Sequence, residues 1–424
     1  MRQLALGLLR RLSRRVFKRY QPQVVVITGS YGKTSTKDAV AAVLRQAYVL
    51  RSSPKSFNNE YGVPFTVIGA PDAGHPIVRW SMAFWLAFKL LVSRQPYPSV
   101  LVLEFGGDKP GDIKDLLKLV VADIGVVTSI GPTHLERYKS VATVYAEESL
   151  VATTLNQHGW AILNCDDPFV RRLCEQSPCR IVSYGFSAGV AVRCMDAAPA
   201  QGSKGEWGMM LKIRFGQDEF PVFLPGVTGR HSAYAALAAV ATAVALHLDE
   251  VEITQGLQEY DPPPGRMRVL PGIKRTWLID DSYNSSPDAG VAAIDALREF
   301  PAEGKRYAVL GDMVDLGSAT ESSHRRVGQE IVDEDVDVFV AVGESMQAAA
   351  SEARARGMPK DRIFTFNDAA TAGRAVQDMI KEGDVVLVKG SQVSRMEKVV
   401  KELMAEPERA GELLVRQDAR WLRT

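Results

Sequence analysis

The chain has 424 residues, of which 51 are Lys or Arg and 50 are Asp or Glu, so its formal net charge at pH 7 is +1. That length exceeds one ordinary hydrophobic core and predicts two or three domains. The near-zero net charge gives no bulk electrostatic reason to expect nucleic acid as a partner. The cysteines are scattered and form no repeated C-x-x-C pair, which fits reduced thiols in the cytoplasm and gives no metal site: Cys165, Cys174, Cys179 and Cys194.

Two apolar stretches near the amino terminus bear on membranes. Residues 3–19, within a predicted N-terminal segment 1–21, place leucines and Val16 among six basic residues, which predicts a basic amphipathic helix. The apolar run is too short for a signal peptide and no small-residue cleavage site follows it. A peripheral contact with the anionic inner face of the membrane and a packed, solvated helix are equally weighted interpretations. Residues 80–92 are too short to span a bilayer and contain Lys89, which favours a buried or partner-facing helix.

The strongest local pattern lies in residues 24–42. Four β-forming residues, 24–27, are followed by the loop Gly29-Ser30-Tyr31-Gly32-Lys33-Thr34-Ser35 and then by apolar residues at helical spacing. A strand, a glycine loop with Gly-Lys-Thr and a helix are typical of a phosphate-binding loop, although this loop is two residues shorter than the usual pattern. Gly29 and Gly32 would let backbone N–H groups converge on phosphate. Lys33 would reach the terminal phosphates and the Thr34 hydroxyl would bind Mg²⁺, with Ser30 and Ser35 completing the loop.

Strand and helix patterns alternate along the rest of the chain. They predict an α/β fold: a P-loop-type central domain with a parallel sheet, residues 22–262, and a smaller Rossmann-like α/β domain, residues 263–424. The boundary follows from the linker pattern Asp-Pro-Pro-Pro-Gly at 261–265. Predicted strands are 99–104, 124–130, 160–164, 276–279, 307–310, 338–342, 362–366 and 385–388; residues 181–224 are β-rich, and helices are predicted at 141–155 and 230–246.

A series of motifs resembles the Mur ligases, and within them the MurF branch. In chain order the motifs are TGSYGKTS at 28–35, SFNNEYGVP at 56–64, GPTHLE at 131–136, LNCDDP at 163–168, GRH at 229–231, PGRM at 264–267, IDDSYN at 279–284, LGDM at 310–313 and KGS at 389–391. The family joins amino acids or peptides to muramic acid precursors at the expense of ATP. The resemblance therefore implies an ATP-dependent amide ligase in peptidoglycan synthesis, with ATP and Mg²⁺ as cofactors and a muramyl peptide and D-alanyl-D-alanine as substrates.

The resemblance assigns roles to residues that match the motifs. It implies that Lys33 neutralises phosphate charge, that Thr34 holds a first Mg²⁺ and that Glu104 and His134 hold a second. It places the substrate's carboxyl end near Asn58 and Asn59. For the nucleotide it implies His231, Arg266, Asp281, Tyr283 and Asn284. For the incoming amine it implies Asp312, Lys389, Ser391 and Arg395.

Several positions depart from the family pattern. Glu148 stands where the family usually carries a carbamylated lysine, so we expect its carboxylate to serve in place of the carbamate, with a surface charge as the alternative. Ser232 replaces an asparagine next to the adenine, and Gln392 replaces an arginine. The phosphate-loop strand begins at Val24, which leaves no room here for the family's UDP-sugar domain. The alternatives to a MurF-type reaction are a ligase for another acid, of the polyglutamate or folylpolyglutamate type, and a non-catalytic ATP-binding subunit.

Overall fold

The computed structural model describes residues 2–71, 76–133, 135–418 and 421. The chain forms two compact units. The first comprises Met1–Asp196, Leu211–Val222 and Tyr234–Asp261; the second comprises Ala197–Met210, Phe223–Ala233 and Pro262–Thr424.

A nine-stranded sheet organises the first unit, in the order β2-β3-β1-β4-β5-β6-β7-β8-β9. The strands are β1 Gln23–Thr28, β2 Leu50–Ser52, β3 Val100–Glu104, β4 Ile124–Val127, β5 Trp160–Asn164, β6 Arg180–Gly185, β7 Val192–Gln201, β8 Trp207–Phe215 and β9 Asp218–Pro225. The helices are α1 Arg2–Tyr20, α2 Lys33–Leu44, α3 Gly62–Ile68, α4 Pro76–Val92, α5 Asp112–Leu117, α6 Leu135–Tyr138, α7 Val141–Glu148, α8 Leu150–Thr153, α9 Pro168–Arg171, α10 Leu173–Gln176, α11 Arg230–Ala245 and α12 Glu250–Gln258. The outer ends of β7 to β9 and the start of α11 cluster with the second unit.

The register of the parallel strands fixes where the site lies. Strand β1 runs parallel between β3 and β4, with Ile27 opposite Glu104 on one side and Thr28 opposite Val127 on the other. The predicted strand 124–130 ends at Val127, because the chain turns there and the Thr128 hydroxyl donates to the carbonyl of Tyr31 at 2.5 Å. The loops that follow β1, β3 and β4 therefore meet at one edge of the sheet, where open α/β sheets bind ligands.

The predicted amino-terminal helix forms α1 and packs within the first unit. Leu9 and Val16 are fully buried in a cluster that includes Phe65 of α3 and Leu90 of α4. Leu6, on the same face of α1, is also buried. No helix in the described ranges combines the length and the apolar character needed to cross a bilayer.

A six-stranded sheet organises the second unit, in the order β10-β11-β15-β12-β13-β14. Its strands are β10 Arg268–Pro271, β11 Trp277–Asp281, β12 Arg306–Gly311, β13 Val338–Val342, β14 Ile363–Phe366 and β15 Val385–Lys389. Its helices are α13 Pro287–Glu299, α14 Thr320–Asp333, α15 Gln347–Ala355, α16 Ala369–Met379, α17 Glu397–Leu403 and α18 Ala410–Leu413. All pairs are parallel except β10 with β11. The sequence analysis did not predict β10, a four-residue edge strand that ends in proline.

Asp280 of β11 gives the second unit a pH-dependent stability. Its carboxyl is fully buried; Oδ1 accepts from the Ser282 N–H at 3.1 Å, and Oδ2 has no hydrogen-bond partner among the described residues. Burial raises the pKa of Asp280 from 3.8 to about 6. Below pH 3.8 the group is protonated in both the folded and the unfolded chain, so its contribution to stability is fully present. Between the two pKa values the folded state holds more protons, so stability falls as the pH rises.

We therefore expect the free energy of unfolding to lose about 3 kcal/mol from this group between pH 3.8 and pH 6. Urea unfolding at several pH values, followed by tryptophan fluorescence, measures how the free energy of unfolding changes with pH. Asp280→Asn removes this part of the change, and Asp361→Asn, at an exposed position, is the matched loss of one carboxylate. Identical slopes in the wild-type protein and Asp280→Asn would contradict the assignment.

Candidate active site

The loop between β1 and α2 has the backbone geometry of an anion-binding turn. Gly29 has φ of 136° and Gly32 has φ of 79°, both in the region that favours glycine. A Cβ on Gly29 would lie 2.2 Å from Thr128 Oγ1, so the loop approaches the end of β4 too closely for a side chain. The Ser30 N–H donates to the Ser129 carbonyl at 2.7 Å, which fixes the turn. The loop thereby presents the N-terminal N–H groups of α2 and their positive dipole at the sheet edge.

Lys33 begins α2 and folds back over this loop. Its ammonium donates to the carbonyl oxygens of Gly29 and Ser30. The lysine predicted to bind the terminal phosphates is thus held at the mouth of the turn. Ser30 is tied to the loop after β4, since its hydroxyl donates to the Gly131 carbonyl and accepts from the Gly131 N–H at 2.9 Å.

Glu104, the last residue of β3, has a buried carboxylate that is only half satisfied. The side chain is 1% exposed, and Oε1 accepts from Asn58 Nδ2 at 2.9 Å. Oε2 has no hydrogen-bond partner among the described residues and lies 3.9 Å from the Lys37 ammonium. The Lys37 ammonium is within ion-pair distance of this oxygen but too far away to donate a hydrogen bond, which leaves the oxygen able to coordinate a cation. Glu104 is therefore a candidate metal ligand, the role that the family resemblance implies for it.

Lys37 is a site residue that the sequence analysis missed. It is fully buried, lies 3.2 Å from Asp38 Oδ1 and donates to the Lys55 carbonyl at 2.5 Å. A signal was available, because Lys37 follows Lys33 by four residues and so lies on the same face of α2. Its burial next to Glu104 could not be read from the spacing, since the pairing joins α2 to a strand 67 positions further along the chain.

Oxygen atoms from three segments converge beside the phosphate loop. Thr34 Oγ1 on α2 lies 3.4 Å from Ser56 Oγ, and Asn58 in the same connecting loop contacts Glu104. Hydroxyl, amide and carboxylate oxygens are the hard ligands that Mg²⁺ takes in proteins. The donor set and the unpaired Glu104 oxygen therefore fit the metal that the resemblance implies. His134, the other predicted ligand, lies outside the described residues. Asn59 has a structural contact, because its Oδ1 caps α3 at the N–H groups of Tyr61 and Gly62.

Two adjacent glutamates at the end of α7 have different surroundings. Glu148 is buried beneath the phosphate loop, where Oε2 accepts from the Thr28 hydroxyl and from the Gly29 N–H at 2.9 Å. Burial raises the pKa of Glu148, and the charge of Lys33 opposes the rise. Glu147 instead accepts from the backbone N–H groups of Gly111 at 2.8 Å and Ile113 at 2.7 Å, at the start of α5. Glu148 therefore belongs to the site, whereas Glu147 is a cap.

The predicted nucleotide residues of the second unit cluster around an ion pair. Lys389 Nζ lies 2.5 Å from Asp281 Oδ2 and donates to the Asn284 carbonyl at 3.0 Å. The Arg266 guanidinium lies 4.2 Å from the centroid of the Tyr283 ring. His231 lies in the first turn of α11, with its ring against Gly229.

The residues predicted to bind the incoming amine substrate have partners inside the second unit. Asp312 Oδ1 accepts from the Met346 N–H at 2.8 Å, and its carbonyl accepts from the Ser391 N–H and hydroxyl at 3.0 and 2.5 Å. Arg395 Nε lies 2.6 Å from the buried Glu397. The structure brings Asp312 and Ser391 into contact. Arg395 ends the short helical turn that follows Ser391. Lys389 and Arg395 are therefore each already paired with a carboxylate of the protein.

Gly29 provides the test of the loop. Gly29→Ala would force its Cβ against Thr128 and within 2.9 Å of the Ser129 backbone, so the loop must move and its N–H groups diverge. We expect nucleotide affinity, measured by calorimetry with ADP, to fall by about tenfold or more. Gly189→Ala is the matched control, since Gly189 also has positive φ, 88°, but open space around it. Equal ADP affinity in the two variants would mean that phosphate binds elsewhere.

Comparison with known proteins gives two family matches that follow each other along the chain. Residues 27–78 and 86–243 match the Mur ligase middle domain, and residues 265–392 match the Mur ligase, glutamate ligase domain.

Similar proteins and a solved structure agree with these matches. The UDP-N-acetylmuramoyl-tripeptide--D-alanyl-D-alanine ligase of Bacillus subtilis is 26% identical over 399 residues, which cover 94% of this chain and 79% of that protein. The enzyme of the same name from Mycobacterium leprae is 30% identical over 395 residues, 87% of this chain and 71% of that protein. The crystal structure of MurF ligase from Thermotoga maritima in complex with ADP has a TM-score of 0.76 at 23% identity, covers 95% of this chain and 84% of its own, and confirms the predicted fold. On these matches, the chain belongs to the Mur ligase family.

Proposed function

We propose that the chain is an ATP-dependent ligase that adds D-alanyl-D-alanine to a UDP-N-acetylmuramoyl tripeptide in peptidoglycan precursor synthesis. The names of the similar proteins supply the substrates. The observation that carries the proposal for this chain is the meeting of Lys33, Thr34 and the half-satisfied Glu104 at one sheet edge. That arrangement supports transfer of a phosphoryl group to a carboxylate.

The proposed reaction has two steps: transfer of the γ-phosphoryl group to the acceptor carboxylate, and then attack by the amine. An oxygen of the acceptor carboxylate attacks the γ-phosphorus of ATP, and the bond between that phosphorus and the bridging oxygen breaks to release ADP. The amine nitrogen of D-alanyl-D-alanine then attacks the acyl carbon, phosphate leaves, and the nitrogen loses a proton. Neither step needs a nucleophilic side chain, so the protein contributes positioning and charge. Lys33 would offset the charge of the transferred phosphoryl group, and Asn58 would orient Glu104.

We also propose two Mg²⁺ sites, a first at Thr34 and a second at Glu104 and His134. When bound there, Mg²⁺ would neutralise phosphate charge and draw the reacting oxygens together. The ammonium group of Lys37 provides a positive charge near Oε2, the second carboxylate oxygen of Glu104. Because Lys37 lies at 3.9 Å, beyond hydrogen-bonding distance, that oxygen keeps its lone pairs for a metal.

The remaining assignments are proposals that rest on the linker at 261–265, on the amphipathic pattern of residues 3–19 and on the family motifs. They include the domain limits 22–262 and 263–424 and a cytoplasmic location with peripheral membrane contact by residues 3–19. They also include the residues for muramyl peptide (Asn58 and Asn59), for nucleotide (Gly29, Ser30, Gly32, Ser35, His231, Arg266, Asp281, Tyr283 and Asn284) and for the amine substrate (Asp312, Lys389, Ser391 and Arg395).

Phosphate release tests the reaction and its acceptor. We expect ADP and phosphate to form only when UDP-muramyl tripeptide and D-alanyl-D-alanine are both present. Glu104→Gln keeps the Asn58 contact but loses the charge, so kcat falls by about a hundredfold or more. Glu175→Gln, at an exposed position of the first unit, is the control. Turnover with glutamate and a folate or polyglutamate acceptor would replace the proposed substrates, and ADP binding without turnover on any pair would indicate a non-catalytic subunit.

Variants of Glu148 test whether its carboxylate takes the role of the carbamate that the family usually carries. Glu148→Ala should lower kcat by about tenfold or more and raise the Mg²⁺ concentration needed for half-maximal activity. Glu148→Lys restores the usual family residue, and we expect bicarbonate to raise its activity because the lysine amine can add CO₂ and lose a proton to form a carbamate. Glu147→Ala is the control: it should lower the melting temperature and leave the Mg²⁺ requirement unchanged. Full activity and an unaltered Mg²⁺ requirement in Glu148→Ala would disprove the role.

A further inference from the structure

Helix α4 exposes a large apolar face. Ala83, Ala87 and Leu90 pack into the first unit. The opposite side carries large apolar side chains that are 42 to 70% exposed: Ile77, Val78, Met82, Trp85, Phe88 and Val92. A contiguous apolar face of this kind, on a helix whose other side is already packed, marks an interaction surface. The sequence analysis expected a buried or partner-facing helix, and the structure divides these properties between the two faces.

Helix α1 lies beside α4, with the carboxyl ends of the two helices together. Arg19 donates to the Leu91 carbonyl at 2.9 Å, and the Tyr20 hydroxyl donates to the Leu90 carbonyl at 3.1 Å. The apolar residues that the sequence analysis offered to a membrane are partly used in this packing, since Leu6, Leu9 and Val16 are buried. The exposed residues of α1 include a stripe at helical spacing: Leu4, Leu8, Arg11, Arg15 and Lys18.

The charge on these two helices is of one sign. Helix α1 contains seven basic residues and α4 contains two, and neither contains an acidic residue. The whole chain has a net charge of only +1, so these two helices carry an excess of positive charge relative to the rest of the chain. Lys89 of α4 lies 5.4 Å from the centroid of the Trp85 ring, which places a cation beside the exposed aromatic residues.

We propose that the exposed faces of α1 and α4, here called the α1–α4 face, dock on an anionic phospholipid membrane. The aromatic and aliphatic residues of α4 would enter the boundary between headgroups and acyl chains. The arginines and lysine of the α1 stripe would contact the phosphates, as basic residues next to a membrane do. The apolar contribution thus comes from α4, and α1 supplies the charge.

The one-sided charge also decides against a second copy of the chain as the occupant. A two-fold contact brings the same surface of both copies together, so the basic stripes would repel each other. An anionic bilayer instead compensates every basic residue of the stripe. The docking is peripheral, because neither helix has the length and apolar character to cross the bilayer. The inference extends the proposed contact of residues 3–19 and does not depend on the ligase reaction.

Co-sedimentation of the full chain with vesicles tests the proposal. We expect binding to vesicles of phosphatidylcholine with phosphatidylglycerol, weak binding to phosphatidylcholine alone, and loss of binding as salt is raised. The triple variant Arg11→Glu, Arg15→Glu, Lys18→Glu should lower the partition coefficient by about tenfold or more. The double variant Trp85→Ser, Phe88→Ser should lower the partition coefficient by about tenfold or more, because it removes apolar side chains that the membrane would bury.

Matched controls lie at exposed positions elsewhere on the chain. Arg374→Glu, Lys398→Glu and Lys401→Glu change the same charge in the second unit. Val251→Ser with Val393→Ser removes apolar side chains that are 61 and 67% exposed. Both controls should bind vesicles like the wild-type protein. Ligase turnover of each variant, measured without vesicles, reports separately on the reaction.

Three outcomes would overturn the proposal. The first is no binding to anionic vesicles at low salt. The second is equal loss of binding in the controls and in the variants of the α1–α4 face. The third is a concentration-dependent dimer in light scattering that Trp85→Ser with Phe88→Ser abolishes, which would assign the face to a second copy.

Discussion

The first unit depends on a carboxylate that cannot be fully satisfied by the protein around it. Glu104 ends a buried strand, and its charge is balanced from one side by the Asn58 amide and at a distance by Lys37. A buried acceptor atom that lacks a hydrogen-bond donor costs about 1–3 kcal/mol, and more when the group is charged. The Mg²⁺ proposed at this position would supply the partner that the second oxygen lacks. The same residue thus connects the packing of the sheet to the proposed chemistry.

The phosphate loop is held by contacts from beneath and from the side. Glu148 accepts from Gly29 and Thr28 below it, and the loop after β4 accepts from Ser30 through the Ser129 carbonyl. These contacts fix the positive φ angles of the turn before any ligand arrives, which is preorganisation in the sense that catalysis requires. Glu147 and Glu148 are adjacent on α7, but Glu148 contacts the phosphate loop and Glu147 caps α5. A difference of one position along the helix therefore separates a site carboxylate from a helix cap.

In the second unit, the residues predicted to bind the amine substrate already have partners within that unit. Lys389 pairs with Asp281, Arg395 pairs with Glu397, and the Asp312 carbonyl holds Ser391. Such saturated networks stabilise loops at the ends of strands. Substrate selection by these residues would involve exchange of partners, so their roles depend on the substrate more strongly than the role of Glu104 does.

The sequence by itself determined most of the order of strands and helices, the glycine loop and the family, because these depend on residue periodicity and on motifs whose spacing is local. The sequence predicted Lys33, Thr34 and Glu104 as phosphate and metal residues and Asn58 as a substrate residue, and the structure brings them to one sheet edge. Tertiary structure alone decided the burial of Lys37, the edge strand β10 and the different contacts of Glu147 and Glu148. It also decided which faces of α1 and α4 remain exposed. Each of these depends on which distant segment packs against a side chain, and a pattern along the chain carries no record of that partner.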